Sequence, residues 1–491
     1  MSSVGLPSGG SSRLADTLGS WWVVPAAASA SAVAGVAVAT GNLLLLLPVA
    51  LVAASAFLPL LQTQFAKDWA LPLWLSAGPA LYPFVRFPFG NGSIATLDRL
   101  LIIGLAVAWF PGVAAGSRGA SRASKRFTSA WTLLTLVLFM RVILDGLGSF
   151  SSVTIWVDAF VIPLLAFLLV RVYAEQGGSV DRILVSLGVG GAIAGAIGIA
   201  ERIAGFSLAS WSGGVVRFDF DSNIIRFAGP YNVPEVYFCV LIVAFAATLC
   251  WGARNNWRRP GVLLALGALQ LIGVWLTYFR AGFIAVIVVG IGIAAIRRGR
   301  SLRTLLVAVA LAVPIYLTIN YLQAVDATFA GRLGNTKNSL SRLAAYEQGV
   351  IIMKSSPVIG VGIQKFEDTA SQLAPIWVNG VKNVNHPHNS LVEIGAEAGV
   401  PAALVLFATF VFAMLLCRSL WRRSHGWRDE MLALGCGLAL IGYGFVSLTL
   451  AMIEYGTPTQ FLMAFLALAA ARNDHLSIRG SRWKALGARD D

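Results

Sequence analysis

Charge is what this sequence has least of. Only 12% of its 491 residues are charged against 57% apolar, and the mean hydropathy is +0.75. A water-soluble fold cannot bury that much apolar surface, so soluble classes are excluded. Cysteine is nearly absent: Cys239, Cys250, Cys417 and Cys436 all lie in or at the ends of apolar runs, without metal-ligand spacing. That excludes a disulfide framework and a zinc cluster and leaves them as packing residues. Alternating segments of about 10 residues, the mark of a membrane barrel, are missing too. The start, "MSSVGLPSGGSSRLADTLGS", lacks the basic region and small-residue cleavage site of a signal peptide, so the first apolar run is expected to stay as a span. No internal repeat is visible.

What is present is a succession of apolar runs. A helix crosses the hydrocarbon core with about 20 residues. Candidate spans are 22–40, 43–61, 71–85, 98–115, 130–147, 154–173, 183–200, 233–252, 262–279, 281–296, 304–322, 400–417, 431–451 and 459–471. The run at 71–85 is short enough to be re-entrant, which sets the expectation at about 12 to 14 helices in an all-α polytopic membrane protein.

The net charge of +14 does not point to nucleic acid, because the basic residues gather in short loops between apolar runs. Five clusters stand out: residues 117–126, 254–259, 297–303, 418–428 and the C-terminal tail. If 71–85 spans, alternation puts all five on one side, and the positive-inside bias makes that side the cytoplasm. The organisation read from this is a cytoplasmic tail at 1–21, N-terminal helices over 22–200, and core helices over 201–322 with an external loop at 201–232. A large external loop follows at 323–399, then C-terminal helices over 400–471 and a basic cytoplasmic tail at 472–491. Within the large loop, "SLSRLAAYEQGVIIMKSS" (339–356) has helical spacing, with Leu343, Tyr346, Val350 and Met353 on one side. The Pro/Gly stretch "PVIGVGIQKF" should stop that helix.

Histidine is as rare as cysteine. Of four, His425 and His475 sit in basic clusters and read as solvated, while His386 and His388 flank one proline on the external face. Outside the membrane there is no nucleotide donor, so a reaction there needs a substrate carrying its own activation. A lipid-linked sugar diphosphate meets that need. Arginine is suited to its phosphates and histidine to a hydroxyl proton. Outward arginines are Arg226, Arg280 and Arg342, with Arg217 and Arg332 placed there by position alone. Bland readings stand beside these: a snorkelling Arg280, a loop Arg226, a solvated helix face for Arg342, and a polar turn for the histidines, capped by Asn389 and Ser390. The "DFD" at Asp219–Asp221 is either a cation-binding pair or a solvated acidic turn. H-x-H without another outward histidine or cysteine is a poor metal set. Arg141, Asp145 and Asp158 lie within apolar runs, as in a polysaccharide or lipid-linked oligosaccharide transporter or flippase, the alternative function, or as a structural pair.

Taken in order, "RFAGPYNVPEVYFCVLI", "TYFRAGFIAVIVVGI", "SRLAAYEQGVIIMKSSPVIGVGIQKF" and "HPHNSLVEIGAEAGVPA" resemble motifs of the O-antigen ligase and O-antigen polymerase superfamily, over roughly residues 180 to 470. The chain departs from those motifs at Phe279, before the arginine, and at Val233 and Glu235. The resemblance implies a metal-independent, inverting glycosyltransferase of the GT-C class in a bacterial inner membrane, with its active site outside the cytoplasm and no cofactor. It would move a preassembled glycan from undecaprenyl diphosphate to a glycan or lipid acceptor hydroxyl. It implies His388 as the base or acceptor-orienting residue, with His386 and Asn389 secondary, and Arg226, Arg280 and Arg342 as the diphosphate cradle. On this reading His388→Ala and Arg280→Ala abolish glycan transfer in a membrane assay without reducing expression or insertion, while His425→Ala changes nothing measurable.

Overall fold

The computed structural model describes residues 64–81, 97–109, 120–146, 150–205, 218–219, 224–231, 233–279, 285–286, 289–290, 292, 337–382, 386–452 and 455–487. The expected spans at 22–40, 43–61 and 304–322, and most of 281–296, lie outside them. Described residues form helices α1 (Gln64–Leu81), α2 (Leu97–Ala108), α3 (Arg122–Leu144), α4 (Phe150–Trp156), α5 (Ile162–Glu175), α6 (Val180–Ala204), α7 (Pro234–Arg254) and α8 (Pro260–Leu276). The loop region adds α9 (Lys337–Ser355), α10 (Phe366–Gln372) and α11 (Ser390–Ala398), and then come α12 (Val400–Arg423), α13 (Trp427–Ser447) and α14 (Gly456–Gly487). One π turn, Val157–Val161, joins α4 to α5. Two antiparallel hairpins, β1 (Phe218–Asp219) with β2 (Ile224–Ile225) and β3 (Trp377–Val378) with β4 (Val381–Lys382), are the described strands. The protein is mostly helical, and six of its described helical segments are long and apolar enough to cross a membrane. Residues 71–81 of the run expected at 71–85 belong to α1, an 18-residue helix that begins seven positions earlier, at Gln64; 82–85 lie outside the described residues.

Local chemistry sets the helix ends. Ser121 and Ser179 cap α3 and α6 by accepting backbone N–H bonds from Ser124 and Arg182. Pro234 and Pro260 open α7 and α8, where a missing N–H costs nothing. Gly205, at φ +73°, closes α6 in the left-handed conformation.

Burial then orders the bundle. In α7, 94% of the apolar window is buried, against 33% in α12, so α7 is central and α12 peripheral. Leu404, Phe407, Val411 and Met414 form an exposed stripe along α12 at helical spacing, and Leu133, Leu136 and Met140 do the same on α3. Exposed apolar stripes of this length fit lipid tails.

The helix ends that carry basic clusters meet at one face. Ser121 N–H donates to Asp474 (2.7 Å), Asn473 donates to Ser121 Oγ (2.7 Å), and Arg254 Nη1 donates to the Arg428 carbonyl (2.6 Å). These contacts tie together segments from 117–126, 254–259, 418–428 and the C-terminal region; the cluster at 297–303 lies outside the described residues. At the opposite face are the α6–α7 connection, the end of α8 and the loop helices α9 to α11.

The loop helix falls where its spacing predicts, but with the other side inward. Ala344, Ala345, Gln348 and Ile352 are buried, Leu343 and Val350 are exposed, and Tyr346 and Met353 are half-buried. The side that carries Leu343, Tyr346, Val350 and Met353 is thus not the main packing face: small residues let α9 press against α11, where Val392 fills the space beside Gly349. Ile352 joins Phe366, Ala370 and Ala396 in a satellite core separate from the bundle.

Two charges fasten this loop to the bundle. Arg141 pairs with Asp145 one turn on (2.8 Å), and its Nε donates to the Glu397 carbonyl at the end of α11 (3.2 Å). Asp145 Oδ2 accepts the Ile363 N–H (2.9 Å), with Lys365 Nζ 3.6 Å from the other oxygen. Gly362, at φ +121°, fits only because it has no side chain: a Cβ there would stand 2.7 Å from Asp145. The pair is buried, so removing one member leaves the other uncompensated. Asp145→Ala is expected to destabilise the protein by about 3 kcal/mol, and limited trypsinolysis in detergent checks it through faster cleavage at Lys354 and Lys365.

Candidate functional site

The site begins at Arg226, just before α7. Its Nε donates to the Thr277 carbonyl past the end of α8 (3.0 Å), and Phe227 N–H donates to the Leu276 carbonyl (3.2 Å). These bonds lash the external connection to α8. Arg226 Nη1 meets Glu235 Oε1 at 2.6 Å, in the first turn of α7, with both side chains buried. An acidic residue inside an apolar helix needs such a partner.

Arg342 enters from α9. It lies within electrostatic reach of Glu235, Arg226 and Tyr346. Burial lowers its guanidinium below the ordinary arginine range, while Glu235 and then Tyr346 hold it up and Arg226 pushes it further down. Tyr346, one helical turn along, faces the histidine segment. Its hydroxyl donates to the Leu448 carbonyl, and the His388 carbonyl lies 3.3 Å from the same oxygen. Burial raises the Tyr346 hydroxyl, against the opposing pull of Arg342 and an Asn389 side-chain hydrogen bond, so it acts as a neutral donor.

His386 and His388 are stacked obliquely, with ring centroids 4.8 Å apart, and His388 N–H donates to His386 Nδ1 (3.2 Å). His388 has φ +49°, a left-handed backbone that costs a non-glycine residue energy and recurs at functional positions. Asn389 Oδ1 caps α11, accepting from Leu391 N–H (2.9 Å) and Val392 N–H (3.2 Å). Its carbonyl oxygen therefore has a structural job beside the role suggested by its place in the motif.

Among the sequence-derived candidates, Arg226, Arg342, His386, His388 and Asn389 share one connected neighbourhood at the loop face. Arg280 lies outside the described residues, three positions beyond Thr277, as do Arg217, Arg332 and Asp221; Asp219 ends β1. Two members were not singled out as functional by sequence. Glu235 showed only as a departure from the motif, though an acid within an apolar run was the available signal. Tyr346 was read only as one position of a helix face. Arg141 and Asp145 brace the loop, and Asp158 forms a two-point pair with Arg99.

Two guanidinium nitrogens at the centre are unengaged. Arg226 Nη2 and Arg342 Nε are buried and have no hydrogen-bond partner among the described residues. Buried N–H groups on cations are costly to leave unmade, so this is a place that would welcome an anion. Tyr346→Phe, which deletes the hydroxyl link to the Leu448 carbonyl, should cost about 1 kcal/mol, read as a lower thermal midpoint in detergent.

Residues 265–407 match the model of a family described as O-antigen ligase. The match runs from the middle of α8 through the loop into α12, inside the wider 180–470 region of the resemblance, and it takes in Arg280, Arg342, His386, His388 and Asn389. Arg226 and Glu235 precede it. No curated protein matches the chain. The matched segment, set among helices of membrane length, supports the resemblance to the O-antigen ligase and polymerase superfamily.

Proposed function

We propose that the protein transfers a preassembled glycan from undecaprenyl diphosphate to an acceptor hydroxyl at the outer face of the cytoplasmic membrane, acting as a polymerase or a ligase. The observation that carries this reading is the pair of unengaged guanidinium nitrogens, Arg226 Nη2 and Arg342 Nε, in the neighbourhood of His388.

In the proposed reaction His388 takes the proton of the acceptor hydroxyl. The freed oxygen attacks the anomeric carbon from the face opposite the diphosphate, the bond to the phosphate oxygen breaks, and the configuration inverts. The charge released onto the polyprenyl diphosphate is met by Arg226 and Arg342, with Arg280 the third candidate. No metal is needed for this charge balance, because fixed guanidinium groups in a low-dielectric site do what a cation would do. The basic face of the bundle, opposite the site, supports an orientation with the loop outside the cytoplasm.

A transporter reading draws on Arg141, Asp145 and Asp158, and each of these has a partner that fixes it in place. That leaves the loop chemistry as the better-supported account.

The test is purified protein in lipid, supplied with lipid-linked glycan and acceptor but no nucleotide and with EDTA present. Transfer is expected. Arg342→Ala should lower its rate by about two to three decades, the scale of one lost charge stabiliser. Movement of glycan across the bilayer without bond formation, or full dependence on a divalent cation, is the contrary result. In cells, His388→Ala leaving single repeats points to a polymerase, and free lipid-linked polymer points to a ligase.

A further inference from the structure

Arg226 has three nitrogens with three different fates. Nη1 meets Glu235, Nε meets the Thr277 carbonyl, and Nη2 is buried with no partner among the described residues. Glu235 is equally half-used. Oε1 takes the guanidinium at 2.6 Å, while Oε2 is buried without a hydrogen-bond partner among the described residues. A two-point fork satisfies both carboxylate oxygens, as in Asp158 with Arg99, whereas Arg254–Asp181 and Arg472–Asp429 are joined at one point. Arg226–Glu235 is also held at one point, and there the spare guanidinium edge and the spare carboxylate oxygen are both buried without hydrogen-bond partners among the described residues.

The second arginine adds to this. Arg342 feels Glu235 as its largest favourable charge and Arg226 as a repulsive one. The carboxylate therefore sits where it partly offsets two cations whose remaining N–H groups, Arg226 Nη2 and Arg342 Nε, are unengaged. Without it, two buried guanidinium groups would face each other with no anion between them in the empty site.

Resting on the reading of this site as a diphosphate cradle, we propose that Glu235 is a resident counter-ion: it holds Arg226 aimed before the donor binds, and it weakens the hold on diphosphate so that the polyprenyl diphosphate product leaves. Glu235 is thus a positioning residue that acts through Arg226 and sets the affinity for the leaving group. Its place in the first turn of α7 matters for this role. The carboxylate is anchored to α7, the most buried of the six described membrane-length helices, so a diphosphate arriving from the loop side competes with it without dislodging it.

The test is equilibrium binding of farnesyl diphosphate to the full-length protein in nanodiscs, at low ionic strength and without divalent cations. Glu235→Gln keeps the shape and a carbonyl to accept from Arg226 while removing the charge. It should bind about tenfold more tightly than wild type, since a like charge beside the phosphates is gone, and Glu235→Asp should bind within about twofold of wild type. In the transfer assay the Gln variant should show a lower KM for the donor and a lower kcat, a split that general loosening of the fold does not produce. Should Glu235→Gln alone be poorly folded, R226Q/E235Q leaves neither charge unpaired, and it should bind more tightly than R226Q. Wild-type binding with no gain on removing the carboxylate, in either background, overturns the counter-ion proposal and leaves the cradle standing. Absence of binding by wild type and variants alike overturns the cradle reading, and the proposal with it.

Discussion

The site is assembled from two bodies of different kinds, a bundle of apolar helices and a polar loop, and its geometry is only as good as the joint between them. That joint is the Arg141–Asp145 pair. Arg226 and Glu235 belong to the bundle, whereas Arg342, Tyr346 and His388 belong to the loop. Backbone bonds from Val361 and Gly362 to the carbonyls of Ala396 and Glu397 close the loop on itself, and the two charges then hold that closed unit to α3. In a low-dielectric setting each charge is bound to its partner more tightly than a neutral hydrogen bond would hold it, and the same setting makes a broken pair costly. A loop made mostly of short elements gains from the bundle the rigidity it cannot supply itself.

The same rule governs the buried arginines of the described helices. Arg99 is matched by Asp158, Arg171 by Glu175 and Asp474, and Arg254 by Asp181. Such matching makes Arg342 and one edge of Arg226 stand out. Two guanidinium edges are buried at the loop face without a hydrogen-bond partner among the described residues.

Much of this was readable in the chain beforehand because hydrophobic length and basic clustering are one-dimensional signals. The helices α3, α5, α6, α7, α12 and α13 fall on apolar runs, and α9 falls on helical spacing. The spacing did not say which side of α9 packs: close helix contact is made by Ala344, Ala345 and Gly349, whose lack of bulk is the useful property. The arginines and histidines were visible as isolated charges in an apolar text. Their convergence, and the part of Glu235 in it, needed the third dimension, since Arg226 and Glu235 are nine positions apart on a turn and a helix, and Arg342 comes from a distant segment. Asn389 shows the reverse: a capping role legible from its place before α11, with its side chain found doing that work.

The backbone of His388 has a consequence for anyone who redesigns this molecule. At φ +49° a glycine or asparagine rests more comfortably than an imidazole. A protocol that ranks sequences by foldedness alone will therefore rewrite position 388 early and report an improvement. With the proton transfer proposed for His388, thermal robustness and chemistry would pull in opposite directions at that residue, and heat tolerance selected without an activity screen would return a sturdier, silent protein.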